Sequence, residues 1–249
     1  MRTGFGMLAL VFLPVFASGS DAFVIVSDVD DTVKITDVLH HHRAVRNAIK
    51  SELTFAGMAE LYAQMLGAGS SSERLRFISG SPRVLAHEIH EMLADSRFPR
   101  YNLTLRGFRE TKTSALSYKT KHITALYGDS DDLLILIGDD TESDPEVYAA
   151  FAAAHPGRVL ATYIRSIKGR RLPDSHIAFV TAYDIAAAER LAGRMNDEQV
   201  VAVASAVLQA GAKTFLPSFQ RCPDAFDNIA NLEIQARLRA LCAQRNPSP

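Results

Sequence analysis

Two short apolar runs, Phe23-Val-Ile-Val-Ser27 and Leu133-Leu-Ile-Leu-Ile137, each break off into aspartates. Runs of this length, rich in branched residues and lacking polar alternation, read as strands buried on both faces, the condition of a parallel sheet. Leu75-Arg-Phe-Ile-Ser79, Tyr101 to Arg106 and Arg158 to Ile164 read as further strands, with Ile177 to Thr181 as an added edge strand. Between them lie helical stretches. Residues 44–66 carry Phe55, Met58, Leu61, Tyr62 and Met65 on one side, Pro82 fits the first turn of a helix running to Leu93, a helix covers 118–127, and Pro145 opens one reaching His155. This alternation predicts an α/β fold: a Rossmann-like, doubly wound, mostly parallel sheet flanked by helices, with a small helical insertion after the first strand. In such sheets ligands bind at the carboxyl ends of the strands. From Ala182 the pattern is helical to about Ala243, with a break at Pro217 to Pro223.

Composition sets the outer limits. The chain has 249 residues, 47% of them hydrophobic, and its 27 basic residues face 28 acidic ones for a net charge of −1. That balance excludes disorder as the dominant state and leaves no bulk charge to drive nucleic-acid binding. Residues 1–19 have the pattern of an export signal: Arg2, an apolar stretch from Met7 to Phe16, then small residues from Ala17 to Ser20. The expected organisation is a signal peptide at 1–19, an α/β domain at 20–185 and a helical extension at 186–249, in an exported, periplasmic or secreted protein. The two cysteines, Cys222 and Cys242, are read as structural, either paired across the intervening loop or packed as free thiols.

The chemistry gathers at the predicted strand ends. Asp28-Val-Asp30-Asp31-Thr32 follows the first strand and Ser79-Gly80-Ser81-Pro82 the second. Tyr118-Lys119-Thr-Lys121 precedes the fourth, and Gly138-Asp139-Asp140-Thr-Glu-Ser-Asp144 follows it. A parallel sheet brings all of these to one edge. Crowded carboxylates repel one another unless a hard, oxygen-liganded dication such as Mg2+ neutralises them. With a hydroxyl and an ammonium beside them, they suit phosphoryl transfer through a covalent aspartyl phosphate. Asp28 is placed to attack phosphorus, Asp30 to serve as acid and base, and Ser79 and Lys119 to hold the phosphoryl oxygens.

Asp-Val-Asp-Asp-Thr, a strand-terminal serine, a lysine and Gly-Asp-x4-Asp, in this order, resemble the haloacid dehalogenase superfamily of phosphatases. The resemblance is closer to the APP1-type phosphatidate phosphatase catalytic domain. It is carried by Ser27 to Thr36, Phe55 to Tyr62, Phe77 to Pro82, Leu136 to Asp140 with Asp144-Pro-Glu-Val-Tyr148, and Tyr163-Ile-Arg165, and it covers residues 23–185. It implies a Mg2+-dependent phosphomonoesterase with a lipid substrate, converting phosphatidate to diacylglycerol and phosphate. The implied metal ligands are Asp28, Asp30 through its backbone carbonyl, Asp139 and Asp144. Thr32, Gly80, Ser81, Lys121 and Arg165 complete the expected substrate contacts. The sequence departs from the family at Gly80, where asparagine is usual, at Asp140-Thr141, where Ser-Gly is usual, and at Tyr118, where histidine often precedes the lysine. The last departure leaves Lys121 as a competitor of Lys119. Two other readings stay open: a phosphatase for small soluble phosphoesters, and a catalytically silent protein that binds anionic lipid or phosphoinositide.

Other motifs have plainer readings. His40-His-His42 suits a solvated loop better than a metal centre, and His87-Glu-Ile-His90 lacks the i, i+4 spacing of a metalloprotease helix. The basic run Arg165, Lys168, Arg170 and Arg171 lies near the expected active edge, where it offers a peripheral contact for an anionic membrane surface.

Overall fold

A computed structural model describes residues 23–36, 53–110, 112–227 and 229–245. The expected signal segment and His40 to His42 lie outside the described residues. The sheet contains β1 (Phe23–Ser27), β2 (Leu75–Pro82), β3 (Asn102–Arg106), β4 (Leu133–Asp139), β5 (Val159–Arg165) and β6 (Ile177–Phe179). Its six strands run in the order β3-β2-β1-β4-β5-β6, and every pairing is parallel. The chain therefore winds outward from β1 in one direction and restarts from β4 in the other. The crevice where ligands bind in doubly wound sheets lies at that switch point, between the carboxyl ends of β1 and β4.

The apolar runs are divided between two faces by the strand period of two. Phe23, Ile25, Phe77, Ile135, Ile137 and Tyr163 belong to one core, shared with α1 (Met58–Leu66), α2 (Ala86–Asp95), α5 (Ala182–Leu191) and α6 (Asp197–Gln209). Val24, Val26, Ile78, Leu134, Leu136 and Ile164 belong to the other, packed with side chains of α3 (Ala115–Tyr127) and α4 (Asp144–Ala154). Full burial of each such side chain stabilises the fold by about 1.5–3 kcal/mol.

The helices differ from the sequence expectation in ways that have local causes. Among the described residues the first helix begins at Met58, because Gly57 at φ +76° turns the chain there. A Cβ at Gly57 would meet Val207 at 2.6 Å, so only glycine fits this approach to α6. Pro82 ends β2 instead of opening a helix; a 3-10 turn, Arg83–Leu85, follows it before α2 starts. Beyond Ala182 the tail is broken more often than expected, after Leu191, after Gln209 and after Phe215. It forms α5, α6, the single-turn α7 (Ala212–Phe215) and α8 (Leu232–Arg245). Asp184, whose carboxylate accepts Val180 N and Thr181 N at 2.8 Å, sets the start of α5, and a capping box at Asn196/Gln199 sets that of α6. Val203, Val207, Phe215, Ile234 and Leu238 of this tail are buried in the same core as the sheet.

Cys222 and Cys242 form a disulfide across a sequence separation of 20. Closing a loop of that length in the unfolded chain is worth about 3 kcal/mol. Guanidinium unfolding with and without dithiothreitol is expected to show that loss on reduction, and equal midpoints would contradict it.

Candidate active site

The turn after β1 is built by its own backbone. Val33 N and Lys34 N both donate to Val29 O, at 3.0 and 2.8 Å, and Asp31 N donates to Lys34 O at 2.8 Å. Asp31 takes a positive φ of 54°, a conformation aspartate tolerates better than most residues, and its carboxylate accepts Thr36 N at 2.9 Å. This turn fixes Asp28 and Asp30 at the switch point. Asp28 N donates to Ile137 O at 2.9 Å, locking the end of β1 to the end of β4.

Asp28, Asp139 and Asp144 converge there, all buried, with carboxylate oxygens within 4.8 Å of one another. Lys119 enters from α3, donating to Asp28 Oδ1 at 2.7 Å and to Asp144 Oδ1 at 2.5 Å. Asp144 Oδ2 accepts Asp139 N at 3.3 Å, and Asp139 accepts the Thr32 hydroxyl at 3.2 Å and Thr141 N at 2.6 Å. Asp30 faces a different wall. Its Oδ2 accepts the hydroxyls of Ser81 at 2.7 Å and Ser79 at 3.1 Å, and its Oδ1 accepts that of Thr36 at 2.9 Å.

One ammonium does not balance three buried carboxylates. Burial raises the pKa of Asp28 well above the usual carboxylate range; Lys119 opposes the shift, and Asp144, Asp139 and Asp30 add to it. Asp139 is pushed up to about 8, by burial first and by Asp144 next. Burial works against the ammonium of Lys119, yet Asp144 and Asp28 together hold its pKa well above the ordinary lysine value. A site of oxygen donors carrying surplus negative charge fits a hard divalent cation, so the triad can bind a metal.

The structure brings together most of the expected site residues and separates others. Lys119, rather than Lys121, reaches the carboxylates: Lys121 is 67% exposed and pairs with Glu110 at 2.8 Å. Arg165 is buried instead of exposed at the rim, and among the described residues its Nη2 has no hydrogen-bond partner. Its guanidinium lies over Phe55 at 3.8 Å and Phe179 at 4.5 Å, donating to Thr32 O at 3.1 Å and Val180 O at 2.8 Å. Burial lowers its pKa to about 9. Arg165 thus braces the turn that holds Thr32. Two further members of the basic run make internal bonds while staying exposed: Lys168 Nζ donates to Thr141 O at 2.7 Å and Arg170 to Glu142 O at 2.7 Å, with a further bond to Glu146.

Several contributors were not legible as such in the sequence. Asp140 does not face the triad. Its carboxylate accepts Ile167 N and Lys168 N at 2.8 Å and Arg170 N at 2.9 Å, tying the loop after β5 to the end of β4. Tyr62 and Ser27 share a hydrogen bond of 2.8 Å beneath Asp28. Arg106 ends β3 at the same edge, its guanidinium over the Tyr118 ring at 5.0 Å. Its Nη2 lies 3.6 Å from where a Cβ on Gly80 would sit. Among the described residues, Arg106 Nε and Tyr118 Oη are buried with no hydrogen-bond partner.

Gly138 is required by packing. A Cβ there would meet Asp144 Oδ2 at 2.5 Å. Gly138→Ala is expected to displace that carboxylate, lowering stability by about 1–3 kcal/mol and any turnover by about a hundredfold. Wild-type kinetics in the variant would show that Asp144 tolerates the shift.

Comparison with known proteins follows the same residues. The family described as phosphatidate phosphatase APP1, catalytic domain, matches residues 23–166, a stretch that holds every residue of the cluster. An uncharacterized protein of Schizosaccharomyces pombe is 29% identical over 153 residues, which is 57% of this chain and 25% of that protein, so the chain spans about a quarter of the relative's length. No solved structure matches. With residues 23–166, more than half of the chain, matched by one family, this chain belongs to the APP1 phosphatidate phosphatase catalytic-domain family.

Proposed function

We propose that the chain is a Mg2+-dependent phosphomonoesterase whose substrate is a lipid phosphate, phosphatidate in the first instance. The observation that carries the reading is the surplus of buried carboxylate around one ammonium, beside an aspartate held by two serine hydroxyls, in a chain of this family. Asp28, Asp139 and Asp144 would hold the cation, which when bound neutralises the cluster and screens the phosphoryl charge. Asp28 Oδ attacks phosphorus as the bond to the leaving oxygen breaks, and Asp30 supplies that oxygen's proton. Water then attacks the same phosphorus and gives a proton to Asp30, while the bond to Asp28 breaks and phosphate leaves. Lys119 holds charge on the phosphoryl oxygens through both steps, and Ser79 and Ser81 fix Asp30.

The disulfide supports the reading of residues 1–19 as an export signal, since such bonds persist in oxidising compartments. No helix among the described residues is long and apolar enough to cross a membrane.

The test is phosphate release from phosphatidate in mixed micelles and from a panel of soluble phosphomonoesters, with Mg2+ or EDTA. Mg2+-dependent release from phosphatidate is expected. Release from soluble esters alone would keep the reaction and replace the substrate. Silence on every compound from folded, Mg2+-supplied protein would overturn the enzymatic reading.

A further inference from the structure

In the basic run after β5, the expected membrane contact, Arg165 is buried and Lys168 and Arg170 make internal bonds. A different surface at the same edge has the required chemistry. β2 and β3 are adjacent and parallel, so the turns that follow them leave the sheet side by side. The first is Arg83–Leu85 and the second Phe108–Glu110. Val84 is 81% exposed and Phe108 is 92% exposed, and Leu116, in the first turn of α3, adds a third apolar side chain facing solvent. Water gains nothing from a phenylalanine held that far out on a short, hydrogen-bonded turn, where the body of the ring stays hydrated.

Arg83, Arg109 and Lys112 are exposed among these apolar groups. Arg106 lies over the Tyr118 ring at 5.0 Å, and Arg83 and Glu110, one from each turn, are close enough to act electrostatically on the same side chain. The acid of the second turn, Glu110, is engaged by Lys121 at 2.8 Å and His122 at 3.1 Å. The rim also borders the reacting groups. Lys119 lies one turn along α3 from Leu116, and Gly80, between the two serines on Asp30, separates Arg106 from Glu142.

We infer that the Val84/Phe108/Leu116 rim, with Arg83, Arg109 and Lys112, is a docking surface for an anionic bilayer, which presents the catalytic edge to the lipid headgroups. The apolar side chains match the acyl boundary and the cations match acidic headgroups. The inference rests on the lipid reading for its purpose, but its test does not require catalysis.

Protein beginning at Ser20, without the expected signal segment, is floated with phosphatidylcholine vesicles, with and without phosphatidylglycerol and containing no substrate. Wild type is expected to float with the anionic vesicles and to be released by salt. Val84→Ser with Phe108→Ser is expected to lower partitioning about tenfold or more at an unchanged melting midpoint. Arg109→Ser with Lys112→Ser is expected to lower it about tenfold on anionic vesicles only. Leu191→Ser, at an equally exposed leucine on α5, is the control and is expected to match wild type. Failure of wild type to float, undiminished flotation of the Val84/Phe108 variant, or loss of flotation in Leu191→Ser would each overturn the inference. Self-association in sedimentation that is lost in the Val84/Phe108 variant, without flotation, would assign the surface to a second copy and overturn it equally. Flotation without phosphatidate hydrolysis would retain the docking surface and discard the substrate. Hydrolysis in micelles without flotation would do the reverse.

Discussion

Replacing Asp28 by asparagine is expected to cut phosphate release by about four orders of magnitude or more while leaving the fold intact. Asparagine keeps the shape of the side chain and the backbone bond from residue 28 to Ile137 O, but it lacks the anionic oxygen that the proposed attack on phosphorus requires. The stability readout makes the claim sharper than loss of activity alone. Burial holds the Asp28 carboxyl well above its ordinary pKa, so its ionised form weakens the metal-free fold. The neutral isostere removes that penalty, and metal-free Asp28→Asn is expected to melt at or above wild type. A variant that loses activity and melts lower would point to a structural role for Asp28.

Lys119→Met should act in the opposite way on stability. Removing the ammonium leaves Asp28, Asp139 and Asp144 facing one another in a buried site, and breaking such a cluster costs about 3–5 kcal/mol near neutral pH. The sign of its pH dependence follows from the carboxylates. Asp28 and Asp139 already have raised pKa values in the folded state, and loss of Lys119, which lowers both, raises them further. The folded variant then binds more protons than the unfolded chain above the unfolded carboxylate pKa, near 4. Its stability falls as pH rises from there through the raised folded values. Urea midpoints taken from about pH 5 to about pH 8 should show a deficit that shrinks in acid and narrows when Mg2+ is added. A deficit independent of both would mean that Lys119 acts through packing alone.

What the sequence shows clearly is what the strand period and the chain order dictate. Phe23 to Ser27 and Leu133 to Ile137 are buried on both faces, so their lack of alternation identifies them as inner parallel strands, and their terminal aspartates must meet. That Lys119, not Lys121, reaches the carboxylates was also encoded, though more faintly. Lys119, Ile123 and Tyr127 recur at i, i+4 and i+8, and all three are buried, which puts Lys121 on the opposite side of α3. The burial of Arg165 was not legible, because a strand-terminal arginine beside Lys168 and Arg170 looks like surface charge. Its face is set by Tyr163, two residues back in the core, and by the aromatic rings of Phe55 and Phe179, which come from distant parts of the chain. Asp140 is similar: its three amide donors lie 27 to 30 residues away, beyond the reach of local pattern. The tail helices are visible as helices, but their packing against α1 and the sheet depends on contacts such as Gly57 with Val207 that no periodicity reveals.

The most direct test of the central claim is chemical trapping of the acyl phosphate. Enzyme quenched during turnover of phosphatidate with Mg2+ would be reduced with borohydride, digested and read by mass spectrometry. The account predicts conversion of residue 28 from aspartate to homoserine, dependent on substrate and absent from Asp28→Asn. Turnover with an unmodified residue 28, or reduction at another carboxylate, would contradict it.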